Sequence, residues 1–280
     1  MYNKFIMKNF KIRDTFSLAW EDLKKNWGFM IGALLVFILV GFLDGMFGVH
    51  QNEITKEVTG SGLFSIILQI VEIYLTAGFI METIKIVDGK KSCLKTMFTW
   101  PVNFIHGLKY FGAYIIYALL IFIPVILIFL YAFSSGKIND IIGNNTVASS
   151  LIALGVVALL LTMFIGMFIG FAYYLIIENR NGIFSNIKKS FEMVKNNFWK
   201  VLVWYLIIFG ILALVGVVAG ILSMIHPVAI LIFTVLLIPA ILIFAAWMLI
   251  SYAHLYRKID PEVEEVVKIE EKERGENIEA

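Results

Sequence analysis

The sequence predicts an all-α membrane protein: a bundle of six transmembrane helices with amphipathic helices lying at one interface. Three observations predict it. Hydrophobic residues make up 60% of the 280-residue chain and charged residues 16%, against about 45–50% and roughly 25% in soluble domains. Six apolar runs are each long enough to cross about 30 Å of hydrocarbon, which takes roughly 20 helical residues. Lysine and arginine fall almost entirely in alternate connections. Backbone groups in lipid must be satisfied within their own segment or a closed barrel, and no strand-like alternation is present, so the runs are helices.

The first run, 28–49, follows a charged stretch of 27 residues. It spans the bilayer and lacks a small-residue cleavage pattern, so it is expected to stay rather than act as a signal peptide. The other runs are 63–87, 104–133, 147–177, 200–225 and 228–255. Pro124 and Pro239 lie inside the third and sixth and are expected to kink them. Twenty-one of the 23 Lys and Arg residues fall in the N-terminal segment, the second and fourth loops and the tail, counting Lys85, Lys109 and Lys200 at the adjoining span ends. The positive-inside rule then makes this a multi-pass protein of the cell membrane with both termini cytoplasmic. The transmembrane domain extends over residues 1–259. The tail, 260–280, holds nine acids and three bases and is expected to be disordered and solvated.

A pattern recurs before each odd-numbered span. Phe16, Trp20, Leu23 and Trp27 are spaced four, three, four. So are Cys93, Met97, Trp100 and Phe104, and so are Ile187, Phe191, Val194 and Phe198. This spacing lays four apolar residues on one helical face. Around them lie Lys24 and Lys25, then Lys90, Lys91 and Lys95, then Lys188, Lys189 and Lys195. AWEDLKKNWG (19–28) aligns with SFEMVKNNFW (190–199), so that Glu21 meets Glu192, Lys24 meets Lys195 and Asn26 meets Asn197. Three repeated units follow, each an amphipathic helix and a transmembrane hairpin. All face the same way, unlike the inverted repeats of many transporters. Such helices either lie in the interface with their lysines on anionic headgroups or pack beneath the bundle, and the pattern serves both.

The stretch YYLIIENRNGIFSNIKKSFEMVKNNFWKVL (173–202) resembles a motif of uncharacterised six-helix integral membrane proteins of bacteria and archaea. The membrane domain of glycerophosphoryl diester phosphodiesterases looks related to that group. In both, a membrane helix ends in a short acidic turn, here Glu178 to Gly182. An amphipathic helix then carries Ser, Lys, Asn and Trp into the next span, here Ser190, Lys195, Asn197 and Trp199. FSLAWEDLKKNWG (16–28) and VDGKKS (87–92) fit the same style. The resemblance implies a fold and a membrane address. It transfers no enzyme activity, because this chain lacks a soluble phosphodiesterase domain.

Glu72 is the most unusual residue. It stands near the middle of the second span, where a carboxylate costs several kcal/mol unless it is paired or neutral. No Lys or Arg lies at comparable depth in any span. Gln69 and Thr76, three and four residues away, share its face, and the three form a candidate intramembrane polar site. Asp44, toward the outer end of the first span, is a weaker candidate. Glu82 and Glu178 near span ends are expected to be solvated or paired. Gly28 with Gly32, Gly41 with Gly45, Gly166 with Gly170 and Gly216 with Gly220 have the four-residue spacing that lets helices approach closely, in a compact bundle or at a dimer surface.

One cysteine, Cys93, allows no internal disulfide. The four histidines are scattered without metal-ligand spacing, so no metal and no cofactor are expected. No nucleophile elbow, phosphate loop or acid–base pair is present, so no enzyme is expected. The basic residues follow topology, so nucleic acid is not an expected partner. The expected partners are membrane lipids, anionic ones above all, and a membrane protein or a second copy. A non-enzymatic membrane component that interacts with lipid or protein fits these features best. The alternative is a small-solute or ion transporter or channel using Glu72.

Overall fold

A computed structural model describes residues 10–47, 50–51, 58–59, 62–99, 104–134, 146–178, 182–225 and 227–260. The tail 261–280, Trp100 and Pro101 lie outside them. Among the described residues the chain runs α1 (Ile12–Lys25), α2 (Trp27–Phe47), α3 (Gly62–Val87), α4 (Leu94–Phe98), α5 (Phe104–Ser134), α6 (Thr146–Ile177), α7 (Ile183–Asn196), α8 (Phe198–Ile225) and α9 (Pro227–Ile259). A two-residue antiparallel pairing, β1 (His50–Gln51) with β2 (Val58–Thr59), lies between α2 and α3. The fold is all-α as predicted. Six helices are long and apolar enough to cross a membrane: α2, α3, α5, α6, α8 and α9. Each coincides with an apolar run to within a few residues. Helices α5 and α9 continue through Pro124 and Pro239 as single elements.

Helix ends follow local chemistry. The backbone N–H of Lys11 donates to the Asp14 carboxylate (3.2 Å) at the start of α1, and Lys24 and Lys25 complement the dipole at its last turn. Helix α3 stops at Gly89, whose φ of 70° suits a residue without Cβ. The N–H groups of Gly89 and Lys90 return to the carbonyls of Ile86 and Lys85, the double bond of a glycine C-cap.

The chain forms two compact units, Met1–Gly107 with Asn197–Ala280 and Leu108–Asn196. In the first, α9 is central and packs against α1, α2, α3 and α8, while α4 sits on α3. In the second, α7 packs on α6, and Tyr117 of α5 meets Tyr173 of α6 edge-on at 5.0 Å. Each amphipathic helix therefore packs on the span preceding it, and α1 packs on the last span of the chain.

Close helix approach falls elsewhere than the glycine spacing suggests. A Cβ on Gly28, Gly41, Gly45, Gly166, Gly216 or Gly220 would meet nothing within 4 Å among the described residues, so the structure gives these glycines no role in close packing there. Gly32 lies near Leu94. At Gly78 of α3 a Cβ would overlap the backbone carbonyl of Met97, and this absent side chain lets α4 lie against α3.

Candidate functional site

The lysine-bearing end of the first unit is the most elaborately built part of the molecule. Helix α1 buries Thr15, Ala19 and Leu23, small or slender side chains that allow close packing on α9. Trp20 stays 46% exposed and Trp27 44%. The expected apolar face of Phe16, Trp20, Leu23 and Trp27 is thus only half right. The buried line runs one position to the N-terminal side, and the aromatics flank it. Helix α7 repeats this in its own unit. It buries Asn186, Ser190 and Val194, the positions aligned with Thr15, Ala19 and Leu23, and leaves Phe191 48% exposed. Size selects the packed line, because bulky rings would hold the helices apart. In the middle copy Met97 is buried and Cys93 exposed, while the side chains of Trp100 and Phe104 lie outside the described residues.

Phe16 and Trp20 of α1 and Ala240, Ile243, Phe244 and Trp247 of α9 line an open, apolar groove of about 410 Å³. The Trp247 indole N–H donates to the Phe16 carbonyl (3.0 Å), and its ring stacks on Phe16 at 5.0 Å. That bond satisfies the indole's one donor and fixes the wall of the groove. At the rim, the Lys24 ammonium lies 5.9 Å from the Trp20 ring centre. Lys24, Lys25, Lys90, Lys91, Lys95, Lys188 and Lys195 are all exposed, and Lys189 is half-buried. Ser92 donates to the Asn26 side chain (3.2 Å), which joins the turn carrying Lys90 and Lys91 to the end of α1.

Beside Lys25 and Lys90 of the first unit sits a polar cluster that the sequence reading missed. Arg257 donates from Nε and Nη2 to the two carboxylate oxygens of Asp88, both at 2.8 Å. The pair is 8% and 10% exposed. His254, 2% exposed, lies 2.8 Å from Asp22. Glu82, expected to be solvated or paired, is buried and paired. It pairs with Lys85 and accepts from the Cys93 N–H (3.0 Å) and the Thr96 hydroxyl (2.7 Å). These bonds tie α1, α3, α4 and α9 together. The available signal was the polar spacing Ser251, His254, Arg257 at the end of an otherwise apolar run.

Of the candidate intramembrane residues, Gln69, Glu72 and Thr76 lie along one face of α3. Asp44 accepts from Ser65 (2.8 Å), across from α2 to the start of α3. The Thr76 hydroxyl donates to the Glu72 backbone carbonyl (2.8 Å). The side chains of Glu72 and Gln69 are exposed.

The family model described as a protein of unknown function, DUF4013, matches residues 61–224, more than half of the chain. No curated protein and no solved structure matches it.

Proposed function

The chain belongs to the DUF4013 family, proteins of unknown function, and from that premise we propose that it is a non-enzymatic component of the cell membrane that engages anionic lipid. Its lysine-bearing end and both termini are cytoplasmic in this reading. The observation that carries it is the two-sided character of α1 and α7. One side packs through small residues, and the other exposes Trp20 or Phe191 with Lys24 or Lys195 one turn on. A helix merely packed beneath a bundle has no use for exposed aromatics beside lysines. At an interface the rings enter the acyl boundary and each lysine adds about 1 kcal/mol of attraction to anionic headgroups. The groove beside Trp20 offers room for an acyl chain. The likeness of 173–202 to the membrane domain of glycerophosphoryl diester phosphodiesterases belongs to this reading as a shared membrane module.

Transport through Glu72 draws less support, since its side chain and that of Gln69 stand on the outside of their unit. Lipid selectivity provides the test. The protein is reconstituted in vesicles carrying brominated phosphatidylglycerol or brominated phosphatidylcholine, and tryptophan quenching is compared. Stronger quenching by the anionic lipid is expected, and it should vanish in the Lys24→Gln, Lys25→Gln, Lys188→Gln, Lys195→Gln protein. Equal quenching by the two lipids in the unmodified protein would refute the proposal.

A further inference from the structure

We infer that the middle of α3 is an interface between two copies of this chain, centred on Glu72 and Gln69. Glu72 follows the first residue of α3, Gly62, by ten positions, about 15 Å at 1.5 Å per residue. That is half of a hydrocarbon layer about 30 Å thick. Both side chains are exposed. Among the described residues neither has a hydrogen-bond or ion-pair partner, because the one bond at Glu72 uses its backbone carbonyl. Lipid tails offer neither donor nor acceptor, so a carboxyl left facing them at this depth costs several kcal/mol.

The cost disappears when another polar surface covers this face. No span carries a Lys or Arg at that depth, so the fitting partner is a neutral hydrogen-bonding group rather than a cation. A second copy supplies it. A two-fold axis along the membrane normal beside α3 sets Glu72 against the same residue of the other copy, and Gln69 against its own equivalent. A carboxamide is both donor and acceptor, so the Gln69 amide of one copy can donate to the Glu72 carboxyl of the other. The face is therefore complementary to itself. Ile66, exposed and one turn before Gln69, gives an aliphatic ridge beside that contact. The inference is independent of the lysine-bearing end.

Disulfide trapping in membranes tests it. In a Cys93→Ser background, Ile66→Cys is oxidised and compared with Leu212→Cys, an exposed position on α8. A covalent dimer is expected from Ile66→Cys and not from Leu212→Cys. Adding Glu72→Leu should lower the trapped fraction about threefold or more, while Glu72→Gln, which keeps the hydrogen bonding, should preserve it. A monomeric Ile66→Cys protein overturns the inference. So does equal trapping at both positions, trapping indifferent to Glu72→Leu, or a cross-link from residue 66 to segment 108–196 of its own chain or to a different protein.

Discussion

Helices α1 and α7 bury the same aligned positions, yet different chemistry fastens them. Helix α1 is held by Asp22 on buried His254 (2.8 Å), by the Trp247 indole on the Phe16 carbonyl (3.0 Å) and by Ser92 on Asn26 (3.2 Å). Close by, the Arg257–Asp88 pair locks α9 to the end of α3. Two described bonds on α7 join neutral side chains to backbone. The Ser190 hydroxyl donates to the Phe168 carbonyl (2.6 Å) and the Tyr117 hydroxyl to the Ile183 carbonyl (3.1 Å). What the copies share is shape along the packed line and the aromatic–lysine surface opposite. What they do not share is the electrostatics beneath. The shared part is the part with a common task, and the difference reflects what each long helix offers underneath.

Substitutions that remove one fastening at a time sharpen this contrast. The largest effect is expected from Arg257→Ala, which strands the buried Asp88 carboxylate and should cost about 3–5 kcal/mol. Unfolding in mixed micelles of mild detergent and SDS measures it, and a cost below about 1 kcal/mol would mean that water already screens the pair. His254→Ala should cost about 1–3 kcal/mol by removing the imidazole that Asp22 meets at 2.8 Å, whereas Ser190→Ala should cost about 0.5–1.5 kcal/mol. The same titration ranks the two. A larger loss from Ser190→Ala would reverse the picture of a charged fastening on α1 and a neutral one on α7.

The spans were legible because hydrocarbon imposes one length and one composition on anything that crosses it. Residues 63–87 and 147–177 read from the sequence correspond to α3 at Gly62–Val87 and α6 at Thr146–Ile177. The amphipathic repeat was legible in period but not in phase. Hydrophobicity ranks Trp20 and Phe191 above Ala19 and Ser190, while close packing prefers the smaller side chains. The partners in the polar cluster were not legible beyond the hint in the spacing of Ser251, His254 and Arg257, since Asp88 and Arg257 are 169 residues apart and a pair formed only by folding leaves no local pattern. Nor did spacing distinguish Gly78, which α4 needs, from glycines such as Gly41 and Gly45 that meet nothing among the described residues. At Glu72 depth was readable and direction was not, because one helix with aliphatic residues on every side gives no sign of which side is covered.

Accessibility at residues 20 and 191 measures most directly whether the amphipathic helices lie at the lipid boundary. Nitroxides placed there by Trp20→Cys and Phe191→Cys in the Cys93→Ser protein, reconstituted in vesicles, report collisions with oxygen dissolved in lipid and with a water-soluble nickel chelate. Oxygen is expected to dominate at both, and nickel at a nitroxide placed by Lys24→Cys. Nickel dominating at 20 and 191, or neither reagent reaching them, would contradict an interfacial role for these helices.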